Sequence, residues 1–311
     1  MSTTRTLLSV LALLILPTIA RAHDSTLKPC GTVVKSSRLK KDCSAPMVIG
    51  ANNITVNLNG HTIRNVPPGY HEEGRGGVEV IDRRGVTIKN GTVRGPAYGL
   101  FVQRGGDHTF RNLDVKAEAE SGNAVRIEDV DRTLVKRITT TPRFDVPVFL
   151  FKGTHSTISN VTSRGDSAHG AFVRGEALLI ANNDFKSGTG AEAACGLLFR
   201  GQKSIIRGNQ LTTSATEEGR FLTGVIAGGL CVIGDDNLIK RNIIVGAGTG
   251  FVLDSAAAKN VIRNNSVTSD PTIVPDAIDI RGGDNACANT WKNNDFETDS
   301  EGDGPDAGCI R

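Results

Sequence analysis

One tryptophan, two tyrosines and two methionines in 311 residues leave little with which to build a large aromatic core. Aromatics are 5% of the chain and apolar residues 38%, below the usual share for a globular domain. No CxxC occurs, so the commonest spacing for structural zinc is missing. Past the first residues, no apolar run approaches the ~18–20 residues that span a bilayer as a helix, and no membrane insertion is expected. Charge of one sign is missing too. The formal net charge is +3, with basic residues scattered among acids, so nothing resembles the footprint of a nucleic-acid binder.

What is abundant is turn chemistry: 36 glycines and eleven prolines. The N-terminus, MSTTRTLLSVLALLILPTIARA, has an early Arg5, an apolar run from Leu7 to Leu16 and small residues at Ala20 and Ala22. It reads as a secretory signal peptide over 1–22, leaving a secreted or periplasmic protein of residues 23–311 in one domain. Loss of this segment removes two arginines and no acid, taking the charge from +3 to +1. In an exported chain the six cysteines read as disulfides. Cys30 with Cys43 and Cys287 with Cys309 would staple the two ends, and Cys195 and Cys231 can bridge neighbouring repeats.

The repeats are the main signal. A pattern of polar–apolar–x–x–Asn–x–apolar, as in NVIRNNSV (260–267), recurs at Asn59, Asn90, Asn112, Asn160, Asn183, Asn209, Asn242, Asn265 and Asn294, with Arg137 filling one gap. Spacings of 31, 22, 25, 23, 23, 26, 33, 23 and 29 residues fit a period of about 22 with insertions. Apolar residues within each unit alternate, as in GLFVQRG, GAFVRG and GLLFRG, which is the period of a strand. Three short strands per repeat predict one coil of a parallel β-helix, about ten coils in all, with an all-β fold. The expected inward pairs are Leu100/Val102, Val125/Ile127, Val148/Leu150, Ala171/Val173, Leu197/Phe199, Leu230/Val232, Phe251/Leu253 and Ile278/Ile280. The recurring Asn is expected at a corner, tolerating a left-handed backbone and stacking into an amide ladder.

The stretch CGTVVKSSRLKKDCSAPMVIGANNITVNLNGHTIRN, followed by repeats such as NVIRNNSV, resembles right-handed parallel β-helix proteins of the pectate-lyase-like superfamily, with repeats of the NosD type. The resemblance covers the mature chain and implies the fold. It leaves function open among lyases, hydrolases, epimerases and non-enzymes. The Asp-Pro-His-Asp string of alginate epimerases, the Gly-His-Gly of polygalacturonases and the Asp-rich calcium cluster of pectate lyases are all missing.

With strands committed to the core, chemistry falls to the long loops after each Asn-bearing strand, which stack on one flank. Arg143, Asp145, Arg164, Asp166 and His169 are the candidate catalytic residues there. Cleavage of a uronate polymer by elimination needs a cation on the carboxylate, a base and an acid. Arg143, Arg164 or Lys186 suits the first role and His169 or an arginine the second. A hydrolase would instead use two carboxylates, and Asp145 and Asp166 sit in equivalent loops one coil apart. No cofactor is expected. Calcium could be met only by the adjacent acids Glu217-Glu218 or Asp235-Asp236. The resemblance implies the binding or processing of a polysaccharide, acidic in kind, by a lyase or a hydrolase. The competing expectation is a non-catalytic surface β-helix. It would form a homo-oligomer through an outward apolar row that includes Phe101, Phe149, Phe172 and Leu198.

Overall fold

A computed structural model describes residues 30–65, 76–118, 122–141, 148–165, 169–188, 194–214, 228–246, 249–254, 257–269, 277–279, 288–298 and 310. These contain no helix. Eleven strands stack in parallel in a first sheet that runs from Gly31–Val33 to Ala277–Asp279. A second sheet of sixteen parallel strands runs from Ser37–Arg38 to Thr290–Lys292. Each coil contributes a strand to the first sheet, turns into the second, and turns again into a short third side. That is the expected parallel β-solenoid. No helix among the described residues is long and apolar enough to cross a membrane.

One strand suffices to show how the sequence builds a coil. In Val125–Asp131, Val125 and Ile127 point inward and are fully buried, while Arg126 between them is half-exposed. Val125 stacks level with Leu100 below and Phe149 above, so every coil caps the apolar surface of its neighbour. Each fully buried aliphatic or aromatic side chain contributes roughly 1.5–3 kcal/mol. Phe110, Phe149, Phe151, Phe185, Phe199 and Phe251 are the largest of them.

The two corners of each coil are made by single residues in the left-handed region. Asp107, Arg132, His155, Ala177 and Lys203 hold the first corner at φ of 47–57°. The second corner divides the Asn column into two classes. In the earlier coils Asn59, Asn90, Asn112, Arg137 and Asn160 are themselves the left-handed residues, at φ of 53–63°. From Asn182 onward the left-handed position belongs to the preceding residue: Asn182, Gly208, Arg241, Asn264 and Asn293. The Asn that follows turns its amide inward.

That inward amide forms a continuous ladder. Asn183 Nδ2 donates to Asn209 Oδ1, Asn209 Nδ2 to Asn242 Oδ1 and Asn242 Nδ2 to Asn265 Oδ1, each at 2.9 Å. Each Oδ1 also accepts the backbone N–H of the Asn one coil earlier. A second ladder, at the first corner, runs from Ser204 through Asn237 and Asn260 to Asn289. These amides satisfy the buried backbone groups that a sharp corner would otherwise strand.

One expectation about register is corrected. Phe149 and Phe151 face inward and Leu150 outward, since Phe149 is level with Ala171 and Phe151 with Val173. Phe149 therefore belongs to the core and not to an outward row. The run Val148–Phe151 is apolar at every position, so alternation alone cannot phase it. Ala277, Ile278 and Asp279 pair with Phe251, Val252 and Leu253, and Ile280 lies outside the described residues. Disulfides join Cys30 to Cys43 and Cys195 to Cys231. Cys287 and Cys309 lie outside the described residues, as does the segment 1–22.

Candidate functional site

The outer face of the first sheet presents two parallel rows. One runs Phe101, Arg126, Leu150, Phe172 and Leu198, each half-exposed. It closes further on, because Cys231 and Val252 occupy the same row yet are buried. Beside it stand Glu128, Lys152, Arg174 and Arg200. Sequence reading missed this second row. Its signal was present in the tails FKG, VRG and FRG, where a cation precedes a glycine in three successive coils.

The rows interlock. Arg126 donates from Nη1 to the Tyr98 hydroxyl at 2.9 Å, and its Nη2 lies 3.1 Å from Glu128 Oε2. Lys152 Nζ donates to Glu128 Oε1 at 2.6 Å. The Glu128 side chain is only 8% exposed. Burial pulls its carboxyl upward, but the bond from Lys152 and the charge of Arg126 outweigh this and hold it below the usual range. Arg126 and Lys152 are thus spoken for. Arg174 and Arg200, both exposed, form no ion pair among the described residues, and Arg200 lies over the Phe172 ring at 5.8 Å. Next to this face a shallow recess of about 760 Å³ is lined by Lys152, Arg174, Asp129, Asp131 and Thr154. Its floor is a glycine column. A Cβ on Gly175, at φ 155°, would fall 1.7 Å from the Gly153 carbonyl oxygen of the coil before.

The loop flank lies at the start of these strands. Arg164 ends the strand Thr157–Arg164, is exposed, and reaches Asp184 at 3.8 Å, a distance worth little at a surface. Ser163 Oγ donates to the Gly170 carbonyl at 2.7 Å and closes the neck of the loop that follows Arg164. His169 stands just before Ala171–Glu176, half-buried, with Nδ1 accepting the Cys195 backbone N–H at 2.8 Å. That bond places the imidazole proton on Nε2. Burial first, and the charge of Arg200 second, push the ring down to about 4, so it is neutral near pH 7. Arg143, Asp145 and Asp166 lie outside the described residues.

Among the described residues no group of three metal-ligating side chains is found. Of the acids considered for calcium, Asp235 accepts the Ala258 backbone N–H at 2.7 Å, and Glu217-Glu218 lie outside the described residues.

A family model described as a right-handed beta helix region matches residues 47–211 and 147–300. Comparison with curated proteins finds no match. Among solved structures, the A-module of the mannuronan C-5 epimerase AlgE6 from Azotobacter vinelandii is similar at 13% identity, with a TM-score of 0.49 over 87% of this chain and 78% of its own. The DFA-IIIase from Arthrobacter chlorophenolicus A6 in complex with GF2 is similar at 13% identity and a TM-score of 0.48, covering 74% of this chain. The match spans 58% of the length of that enzyme. Pectate lyase Pel9A matches over 90% of this chain and 72% of its own, at 13% identity and a TM-score of 0.36.

Proposed function

The chain belongs to the right-handed β-helix family, and from that premise we propose that it is an exported protein that binds an acidic polysaccharide across its first sheet and processes it on the adjoining loop flank. The observation that carries this reading is the pair of cations, Arg174 and Arg200, that form no ion pair among the described residues, beside the half-exposed ring of Phe172. Paired strands lie ~4.8 Å apart, so cations on successive coils repeat at about the length of one sugar unit. A carboxylate on each of two consecutive sugars could meet one arginine each, in the fork geometry that suits them. The half-exposed Phe172 ring, with Arg200 over it, adds apolar surface beside the cations. An oxidising compartment fits the two described disulfides.

For the processing step the sequence nominates His169, Arg164, Asp166, Arg143 and Asp145. With its ring neutral, its Nδ1 occupied and its proton on Nε2, His169 suits hydrogen-bond donation to an oxygen that gains charge in the transition state. The proton-transferring acid and base then fall to other members of the set.

The test is a panel of uronate polymers and a neutral glucan, with binding read by affinity electrophoresis and cleavage by the ultraviolet absorbance of unsaturated products. Arg174→Gln with Arg200→Gln should weaken binding of a short uronate oligomer at least tenfold, and His169→Ala should lower product formation about a hundredfold or more while leaving binding intact. Absence of binding to every uronate polymer sinks the proposal. A stable oligomer broken by Phe172→Asp, with no polymer bound, would favour the non-catalytic reading instead.

A further inference from the structure

The second sheet carries a charge pattern that the first-sheet site does not use. Its later strands read Ile205-Ile206-Arg207, Leu238-Ile239-Lys240, Val261-Ile262-Arg263 and Thr290-Trp291-Lys292. The middle residue of each is buried, and its neighbours point outward. Register stacks Arg207, Lys240, Arg263 and Lys292 in one column, with Ile205, Leu238, Val261 and Thr290 in the column beside it. In earlier coils the basic column continues as Lys89, Arg111 and Lys136, and only Ser159 and Ala181 interrupt it.

From Lys89 to Lys292 neither column holds an aspartate or glutamate, in a chain with 33 acids. None of the four later cations forms an ion pair with a described carboxylate. A surface that only keeps a protein soluble mixes its signs. Like charges directly opposite on neighbouring strands repel, at a separation of ~4.8 Å. Four consecutive coils accept that repulsion, and an anion laid along the column would relieve it.

We propose that this column is a rail for a linear acidic polysaccharide running parallel to the solenoid axis, one anionic sugar to a coil. The column is straight and one residue wide, which suits a polymer with a single line of charges. Nucleic acid is disfavoured because no aromatic is exposed in either column for bases to stack on; Trp291 points inward at 5% exposure. A bilayer is disfavoured because the flanking apolar residues are only about a third exposed, 38% at Ile205 and 37% at Val261, too shallow on a flat sheet to insert. The rail shares its ligand class with the first-sheet reading but uses a different face, so the two can fail separately.

The test compares the mature protein with the variant R207Q/K240Q/R263Q, using polygalacturonate, a short galacturonate oligomer, neutral dextran and phosphatidylglycerol vesicles. The rail predicts that the variant loses at least tenfold in affinity for the long polymer at low salt. It predicts unchanged affinity for the short oligomer, which the first sheet holds. The charge-conserving R207K/R263K should bind the polymer like the wild type, and circular dichroism should show all three proteins folded. Arg174→Gln with Arg200→Gln should have the reverse effect, losing the oligomer while keeping length-dependent retention of the polymer. The rail is overturned if R207Q/K240Q/R263Q binds the polymer like the wild type. Loss of binding in R207K/R263K would overturn it as well, and so would wild-type binding to the vesicles but not to the polymer.

Discussion

Asparagine does two different jobs at the second corner, and a single substitution separates them. Asn160 is exposed and sits at φ 53°, so its value is its tolerance of the left-handed region. Asn160→Gly should change stability by less than about 0.5 kcal/mol, because glycine enters that region at no steric cost. Asn242 instead satisfies two neighbouring amides and the Ile206 carbonyl from a buried position. Asn242→Ala leaves those groups unpaired and should cost about 2 kcal/mol or more. Thermal melts of the two variants decide the matter, and equal losses would refute the division. The recurrence of Asn was plain in the sequence. The change of role after Asn160 was not, because a left-handed corner and an amide ladder both favour the same residue. His169 was legible as a titratable group in a loop. Its bond to the Cys195 backbone was not, since that depends on which coil lies above.

At the scale of the strand, the phase of Phe149–Thr154 shows where pattern reading fails and what repairs it. Four apolar residues in a row hide the alternation, whereas the tail Phe151-Lys152-Gly153 matches Val173-Arg174-Gly175 and Phe199-Arg200-Gly201 and sets it unambiguously. The same alignment reveals the cation row that faces the proposed ligand. Phase has an energetic consequence. Phe149→Asp buries a carboxylate among Phe185 and its neighbours and should cost about 4 kcal/mol or more. Leu150→Asp, half-exposed, should cost less than about 1 kcal/mol. Chemical denaturation of both proteins checks this, and the opposite order would restore the register in which Phe149 faces outward.

At the scale of the molecule, the solenoid turns sequence periodicity into straight rows of side chains. Any residue type repeated every 22 residues or so becomes a line, and this chain uses that rule three times: for the amide ladders, for Lys152, Arg174 and Arg200, and for Arg207, Lys240 and Arg263. The fold was legible because stacking demands inward apolar pairs at a fixed period. The site was only partly legible, because Arg164 and His169 flank a loop of a kind whose length varies from coil to coil and carries no period. Arginine-selective labelling with phenylglyoxal, mapped by mass spectrometry with and without a saturating galacturonate oligomer, tests whether an acidic sugar chain lies on Arg174 and Arg200. Both should be modified in the free protein and protected by the oligomer, while Arg207 and Arg263 remain reactive. Unchanged modification of Arg174 and Arg200 in an oligomer-bound sample would contradict it.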